Sequence, residues 1–179
     1  MVHLTKIYTK TGDDGTTGLA DGSRTAKFMP RMMAIGSVDE ANSAIGMISK
    51  DGNRAIFDQI QNDLFDIGAV IAGSKTVSIT DEHIEILETY IDGTNALLDP
   101  LDSFVLPTGT IHNARAIVRR AERDVWYWYA TDMDGHAHNE FDNKMLIYLN
   151  RLSDLLFVMA RYYNKGNEIL WNPMGKNEK

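Results

Sequence analysis

Four segments of this chain group side chains that could do chemistry together. The first is Thr9, Lys10, Thr11, Gly12, Asp13, Asp14, Gly15, Thr16 and Thr17. Small residues let backbone N–H groups approach an anion, Lys10 adds a compact positive charge, and the threonine hydroxyls add donors. This is the chemistry of phosphate binding, although the G-x-x-x-x-G-K-[ST] pattern of a Walker loop does not occur. The same composition also suits an ordinary flexible N-terminal loop. The second segment holds Arg115, Arg119, Arg120, Glu122 and Arg123. On a helix Arg115, Arg119 and Glu122 fall at i, i+4 and i+7, and Arg123 is four on from Arg119, so one strip carries them all. Arginines converging on one strip repel each other unless something negative sits there. Triphosphate would serve, and so would acidic residues of a neighbouring helix or subunit.

The third segment runs from Tyr148 to Asp154. Leu149, Leu152 and Leu156 claim the core side, leaving Asn150 and Asp154 as i, i+4 neighbours on another strip. The amide of Asn150 both donates and accepts, so it could read an adenine edge or a ribose; polar residues on an amphipathic helix are also simply the rule. The fourth is Ser37, Val38, Asp39 and Glu40, where acidic residues near a helix start are favoured by the helix dipole alone. His136 and His138 form a pair without a third ligand at suitable spacing, and no Glu-x-x-His motif occurs, so no metal site is assigned.

The elements that position these segments are helical. Gly12, Gly15, Gly18 and Gly22 forbid a stable helix near the N-terminus, so that stretch is a loop with a short strand expected at Lys6, Ile7 and Tyr8. From Met32, Ile35, Val38, Ala41, Ile45 and Ile48 recur at spacings of three and four. Asp51, Gly52 and Asn53 stop that helix. A second helix spans about Ala55 to Gly73, and a third opens at Thr80 to His83 and closes at Asp99 and Pro100. Thr80 with His83 three residues later does not read as a capping box. After Phe104, Leu106 and Pro107 a fourth helix covers about Ile111 to Ala130, and a break follows at Asp132 to Gly135. The fifth covers about Asn139 to Asn164, with a frayed tail expected from Asn172 to Lys179. The expected fold is all-α: a five-helix up-down bundle preceded by a glycine-rich arm, with little strand. It forms a single domain, with the arm at 1–30, the bundle at 31–166 and the tail at 167–179.

Bulk composition agrees. With 179 residues, 44% hydrophobic content and only 4 prolines, the chain suits one compact helical domain. A net charge of −7 argues against nucleic acid as a partner. The absence of cysteine removes disulfides and thiolate chemistry. No apolar run reaches transmembrane length and the N-terminus lacks a signal-peptide layout, so a cytoplasmic protein is expected.

In order along the chain come Thr-Lys-Thr-Gly-Asp-x-Gly from Thr9, Val-Asp-Glu-x-Asn from Val38 and Phe-x-Leu-Pro from Phe104. Ala-Arg-x-x-x-Arg-Arg-Ala-Glu-Arg from Ala114 and Leu-Asn-Arg-Leu-Ser-Asp from Leu149 follow. This series resembles the PduO-type ATP:cob(I)alamin adenosyltransferases, from about Thr5 to Asn164. The resemblance implies transfer of the 5′-deoxyadenosyl group of ATP to cob(I)alamin, giving adenosylcobalamin and triphosphate. It implies a homotrimer with sites between subunits, Mg²⁺ accompanying ATP, cobalamin as substrate and a flavoprotein reductase as partner. By resemblance, Thr9, Lys10, Thr11, Gly12, Asp13, Gly15 and Thr17 belong to an arm that folds around ATP. Lys27, Arg119, Glu122, Arg123 and Asn150 would contact the nucleotide too. Asp39 and Arg115 resemble a paired acid and base near the corrinoid and the subunit interface, and Phe104 an aromatic residue beneath the corrin ring. The chain departs from the family between Pro107 and Arg115, where Thr108 replaces a glycine and the stretch is several residues shorter. That departure falls on the corrinoid side, and it is the one feature favouring the alternative of a non-catalytic ATP- or corrinoid-binding delivery or sensor protein.

Overall fold

The computed structural model describes residues 7–48, 54–131, 143–165 and 167–173. Its elements are β1 (Thr16–Gly18), β2 (Arg24–Ala26), α1 (Pro30–Gly46), α2 (Arg54–Ile71), α3 (Asp81–Asn95), α4 (Gly109–Thr131) and α5 (Lys144–Asn164). Pro30 occupies the first turn of α1, where its missing N–H costs nothing, and so the helix begins two residues before the periodic apolar positions do. Ala34, Val38, Ala41 and Ile45 are buried on one face, and α1 packs most extensively on α4 through Ala114, Val118, Ala121 and Val125. Small residues on both sides allow the two helices to approach closely.

Named contacts fix the directions. Ser37 bonds Asp124 and Glu40 pairs with Arg120, so α1 and α4 run antiparallel. Asn150 meets Glu122 and Phe157 meets Arg115, so α4 and α5 are also antiparallel. Lys144 pairs with Asp81 and Arg151 with Glu88, so α3 and α5 run parallel. Asn42 on α1 and Gln61 on α2 exchange side-chain-to-carbonyl bonds of 2.9 and 3.2 Å. The expected up-down bundle is therefore what forms, with α1, α3 and α5 pointing one way and α2 and α4 the other.

Helix α5 is the most enclosed element. Leu146, Leu149, Leu152, Leu155 and Leu156 are all buried, and so is Tyr148. Tyr148 donates its hydroxyl to Asp63 Oδ2 on α2 at 2.8 Å, and Gln59 Nε2 donates to Asp63 Oδ1 at 2.7 Å. His83 Nε2 lies 3.8 Å from the same Oδ1. Burial, then the negative charge and hydrogen bond of Asp63, push the Tyr148 phenol far above its ordinary range, so the group acts only as a donor. The other ring nitrogen of His83 accepts from the Thr80 N–H at 3.2 Å and pairs with its hydroxyl at 2.7 Å. Sequence reading denied Thr80 and His83 a capping role. An imidazole nitrogen nevertheless reaches back to the N-cap as a glutamate carboxylate would.

One further expectation is corrected. Ile7 and Tyr8 are not in a strand, and Lys6 lies outside the described residues. The strand pairing of the arm comes later, with Thr16 opposite Ala26 and Gly18 opposite Arg24. Beyond α5, and before the tail expected to fray, Leu170 forms an antiparallel bridge with Val105 in the loop before α4. The break expected at Asp132 to Gly135, and the His136 and His138 pair, fall outside the described residues.

Tyr148→Phe leaves a buried carboxylate short of one donor. We expect it to lower the unfolding free energy by roughly 1–3 kcal/mol, checked by urea denaturation.

Candidate functional site

Because Val118, Ala121 and Val125 take the buried side of α4, the row at Arg115, Arg119, Glu122 and Arg123 is turned the other way. Arg119 and Arg123 are exposed, and Arg123 Nη1 folds back to donate to the Arg119 carbonyl at 3.0 Å. Asn150 projects from α5 into this row. Its Nδ2 donates to Glu122 Oε1 at 3.3 Å, and its Oδ1 accepts from Arg151 Nη1 at 3.1 Å. Arg151 Nε in turn donates to Glu88 on α3 at 2.8 Å. The amide is thereby oriented, since a carboxylate only accepts and a guanidinium only donates. One amide hydrogen and one lone pair are left over for a ligand.

Arg115 is half-buried, with its guanidinium 5.6 Å from the centroid of the Phe157 ring. Its Nε is buried and has no hydrogen-bond partner. Burial depresses its pKa, Arg119 depresses it further, and Asp154 opposes both. The predicted crowding of like charges on this strip is thus present. His112, one turn earlier, is buried with its Nδ1 unpartnered and its ring edge-on to Phe157 at 6.0 Å. It lines a cavity of about 220 Å³ with Thr108, Gly109, Tyr163 and Asn164, where α4 begins and α5 ends. Asp39 is exposed on α1, between Ser37 and Glu40, which are engaged by α4. Within one chain Asp39 and Arg115 are therefore not joined as a pair.

The arm is a built loop rather than a loose end. Lys10 takes a left-handed φ of 63°, and Thr9 and Thr11 share a hydroxyl bond of 2.8 Å. Asp14 accepts from both the N–H and the hydroxyl of Thr16 (2.9 and 2.7 Å), which holds its carboxyl below the ordinary range. Lys27 Nζ donates to the Gly12 carbonyl at 2.7 Å. A Cβ on Gly12 would lie 3.0 Å from the Thr16 carbonyl oxygen and 3.2 Å from Lys27 Nζ, so only glycine fits without displacing them. Gly15 has φ 84°, Asp13 is exposed beside it, and Thr17 lies on β1. Arg24, which sequence reasoning passed over, ties the loop together: Nη2 donates to the Thr11 carbonyl at 2.7 Å and to Thr16 Oγ1 at 2.5 Å. A basic residue opposite the glycine loop was the available signal. The arm rests on the end of α2, with Ala20 N–H donating to the Ala72 carbonyl at 2.8 Å.

Phe104 is 77% exposed on the loop before α4. Its ring lies 6.1 Å from that of Trp171, a second residue that sequence reasoning did not single out. The structure thus brings Glu122 to Asn150, Arg115 to Arg119 and Lys27 to Gly12. Among the described residues it shows no bond between the arm and the α4 row, or between either of these and Phe104.

A family model for cobalamin adenosyltransferase matches residues 7–163. The corrinoid adenosyltransferase of Mycobacterium leprae is 44% identical over 194 residues, covering 97% of this chain and 99% of that protein. That of Bacillus subtilis is 39% identical, covering 89% of this chain and 86% of the relative. A variant PduO-type ATP:corrinoid adenosyltransferase from Lactobacillus reuteri, complexed with cobalamin and ATP, superposes with a TM-score of 0.81. It is 30% identical, over 93% of this chain and 99% of the other.

His112 gives a pH signature. Burial first, and Arg115 second, lower its pKa below the ordinary 6.5, so the folded state resists the proton that the unfolded state accepts. Its contribution is fully present above the unfolded value and is lost as pH falls through the folded one. Thermal melts from neutral pH down to about pH 5 should show a loss of stability that His112→Gln reduces.

Proposed function

The chain belongs to the cobalamin adenosyltransferase family, and we propose that it transfers the 5′-deoxyadenosyl group of ATP to cob(I)alamin, forming adenosylcobalamin and releasing triphosphate. The observation that carries this reading on the chain's own residues is the oriented Asn150–Glu122 contact beside the exposed Arg119 and Arg123. A polar clasp next to uncompensated guanidinium groups suits a nucleoside joined to a polyanion.

In the reaction the Co(I) electron pair attacks the 5′ carbon of ATP. The cobalt–carbon bond forms as the carbon–oxygen bond breaks, and triphosphate leaves with the bonding pair. Negative charge grows on the leaving oxygens, and the chain's task is to receive it. Arg119, Arg123, Lys10 and Lys27, with the threonine hydroxyls and N–H groups of residues 9–17, supply donors for that charge. Asn150 and Glu122 hold the nucleoside so that cobalt, carbon and leaving oxygen lie in line. The triphosphate leaves as an anion, so no side chain need act as a general base. Phe104 presents an apolar face beneath the corrin, where it keeps a lower axial ligand away and eases reduction of cob(II)alamin.

Mg²⁺ fits this site only as a companion of the phosphates. Among the described residues no group of three acidic, histidine or cysteine side chains could hold a metal, and Asp14 is already committed to Thr16. Bound there, the ion would supply charge neutralisation to the triphosphate, with Asp13 the carboxylate available to it.

We further infer that the site is completed between copies of the chain in a homotrimer. Among the described residues no bond joins the glycine loop of residues 9–17 to the α4 row, Asp39 is exposed, and Arg115 Nε lacks a partner. A neighbouring copy would bring an arm to the row and an Asp39 to an Arg115. The electron donor is a flavoprotein reductase and the compartment the cytoplasm; among the described residues no helix is long and apolar enough to cross a membrane.

Three measurements test this reading. With ATP, Mg²⁺ and chemically reduced cobalamin, formation of the Co–C bond should appear as an absorbance change; ATP binding without turnover would make the protein a carrier. Arg119→Ala should reduce turnover at least about a hundredfold, and unchanged turnover would remove the arginine row from the mechanism. Lys10→Ala and Asn150→Ala should each be inactive, yet regain activity when co-expressed, since a mixed trimer contains sites with both residues intact. No regain would place each site within one chain.

A further inference from the structure

Phe104 lies outside every helix, and its ring stands against that of Trp171. A side chain this exposed is positioned by what holds its backbone, and the holder is the segment after α5. Trp171 N–H donates to the Phe104 carbonyl at 2.7 Å, and Leu106 N–H donates to the Ile169 carbonyl at 2.8 Å. Ser103 Oγ donates to the Trp171 carbonyl at 2.9 Å, and Val105 bridges Leu170. Residues 103–106 and 169–171 therefore form one short antiparallel unit, with the Trp171 ring against that of Phe104. Two chain segments this short are marginal alone and need an anchor.

The anchor is Arg161, near the end of α5 and 7% exposed. Its Nε donates to Glu168 Oε1 at 3.0 Å, and its Nη2 donates to the Asp99 carbonyl at 2.7 Å. Glu168 stands immediately before the paired segment, and Asp99 stands at the head of the loop that leads to Phe104. One planar guanidinium thus fixes both strands of the unit at a set angle, which a lysine ammonium cannot reproduce. The side chains of Arg161 and Glu168 are 8% and 10% exposed. A buried pair of this kind adds little net stability over an apolar replacement, so what it contributes here is geometry.

We propose that Arg161, acting through Glu168 and the backbone of residues 169–171, is a positioning residue for Phe104 and so governs the reaction from cob(II)alamin rather than ATP use. The proposal rests on the role given to Phe104 above.

The test uses the full-length protein carrying Arg161→Lys, Glu168→Gln, Trp171→Ala or Phe104→Ala. Each is assayed with ATP and either chemically pre-reduced cob(I)alamin or cob(II)alamin plus a one-electron reductant. With cob(I)alamin, Arg161→Lys and Glu168→Gln should stay within about twofold of the parent in turnover and in KM for ATP. With cob(II)alamin they should fall at least about tenfold, and Trp171→Ala by less. The electron paramagnetic resonance spectrum of bound cob(II)alamin, which reports its lower axial ligand, should shift towards the free cofactor in the same order. Equal losses on both substrates would make Arg161 merely structural and overturn the proposal, as would undiminished turnover from cob(II)alamin. Should Arg161→Lys or Glu168→Gln fail to fold, the surface variant Trp171→Ala decides on the same readouts. If Phe104→Ala itself spares cob(II)alamin, the role of Phe104 falls and this proposal with it. If Phe104→Ala impairs that route and the Arg161 and Glu168 variants do not, only the positioning proposal falls.

Discussion

Helix α5 runs enclosed by its neighbours, and its polar side chains must find partners there, because an unpaired polar group inside a bundle costs more than a made bond returns. Four of the partners found lie on four separate parts of the chain. Tyr148 reaches Asp63 on α2, Asn150 reaches Glu122 on α4, Arg151 reaches Glu88 on α3, and Arg161 reaches Glu168 beyond the helix end. Apolar packing alone would leave α5 able to slide by a turn, since leucines recur along it. Four directional contacts with unlike partners remove that freedom. The register of the bundle, and with it the alignment of Asn150 beside the arginine row, depends on these bonds.

Electrostatics divide the rest of the site. Arg119 stands close enough to disfavour the charge of Arg115, which is partly desolvated as well. Such an arrangement is costly in the free chain and favours an anion beside it. The arm shows the complementary condition. Asp14, Arg24 and Lys27 direct their charges at the loop's own N–H, hydroxyl and carbonyl groups, which fixes the loop's N–H directions. A preorganised cradle lowers the ordering cost of binding.

Sequence periodicity disclosed the five helices and the strip joining Arg115, Arg119, Glu122 and Arg123, because both follow from the helical repeat. Glycine spacing disclosed the loop of the arm. Contacts between residues distant in sequence stayed hidden. Nothing near Asp63 marks it as a core acid until Tyr148, Gln59 and His83 surround it. Thr80 with His83 does not read as a capping box, since the familiar pattern has glutamate or glutamine at the third position, yet a ring nitrogen there reaches the same N–H. Arg24 could be found only through the hairpin that brings it to Thr11 and Thr16. The pairing of Ile169, Leu170 and Trp171 with the Phe104 loop likewise left no local mark in the sequence.

The two halves of the chemistry consequently sit on supports of different stiffness. The residues assigned to ATP on α4 and α5 occupy helices whose backbone bonds are internal and whose inner faces are fully packed. Phe104 sits on a loop held by a few bonds to a second loop, with one buried guanidinium behind both. A nucleotide presents the same shape at each turnover and rewards rigid placement. A corrin is bulky, must enter, be stripped of an axial ligand and leave with a new bond, and so requires an edge that yields. Helix α4 starts at Gly109, almost directly after the Phe104 loop, so the C-terminal segment is what holds that loop from its other side.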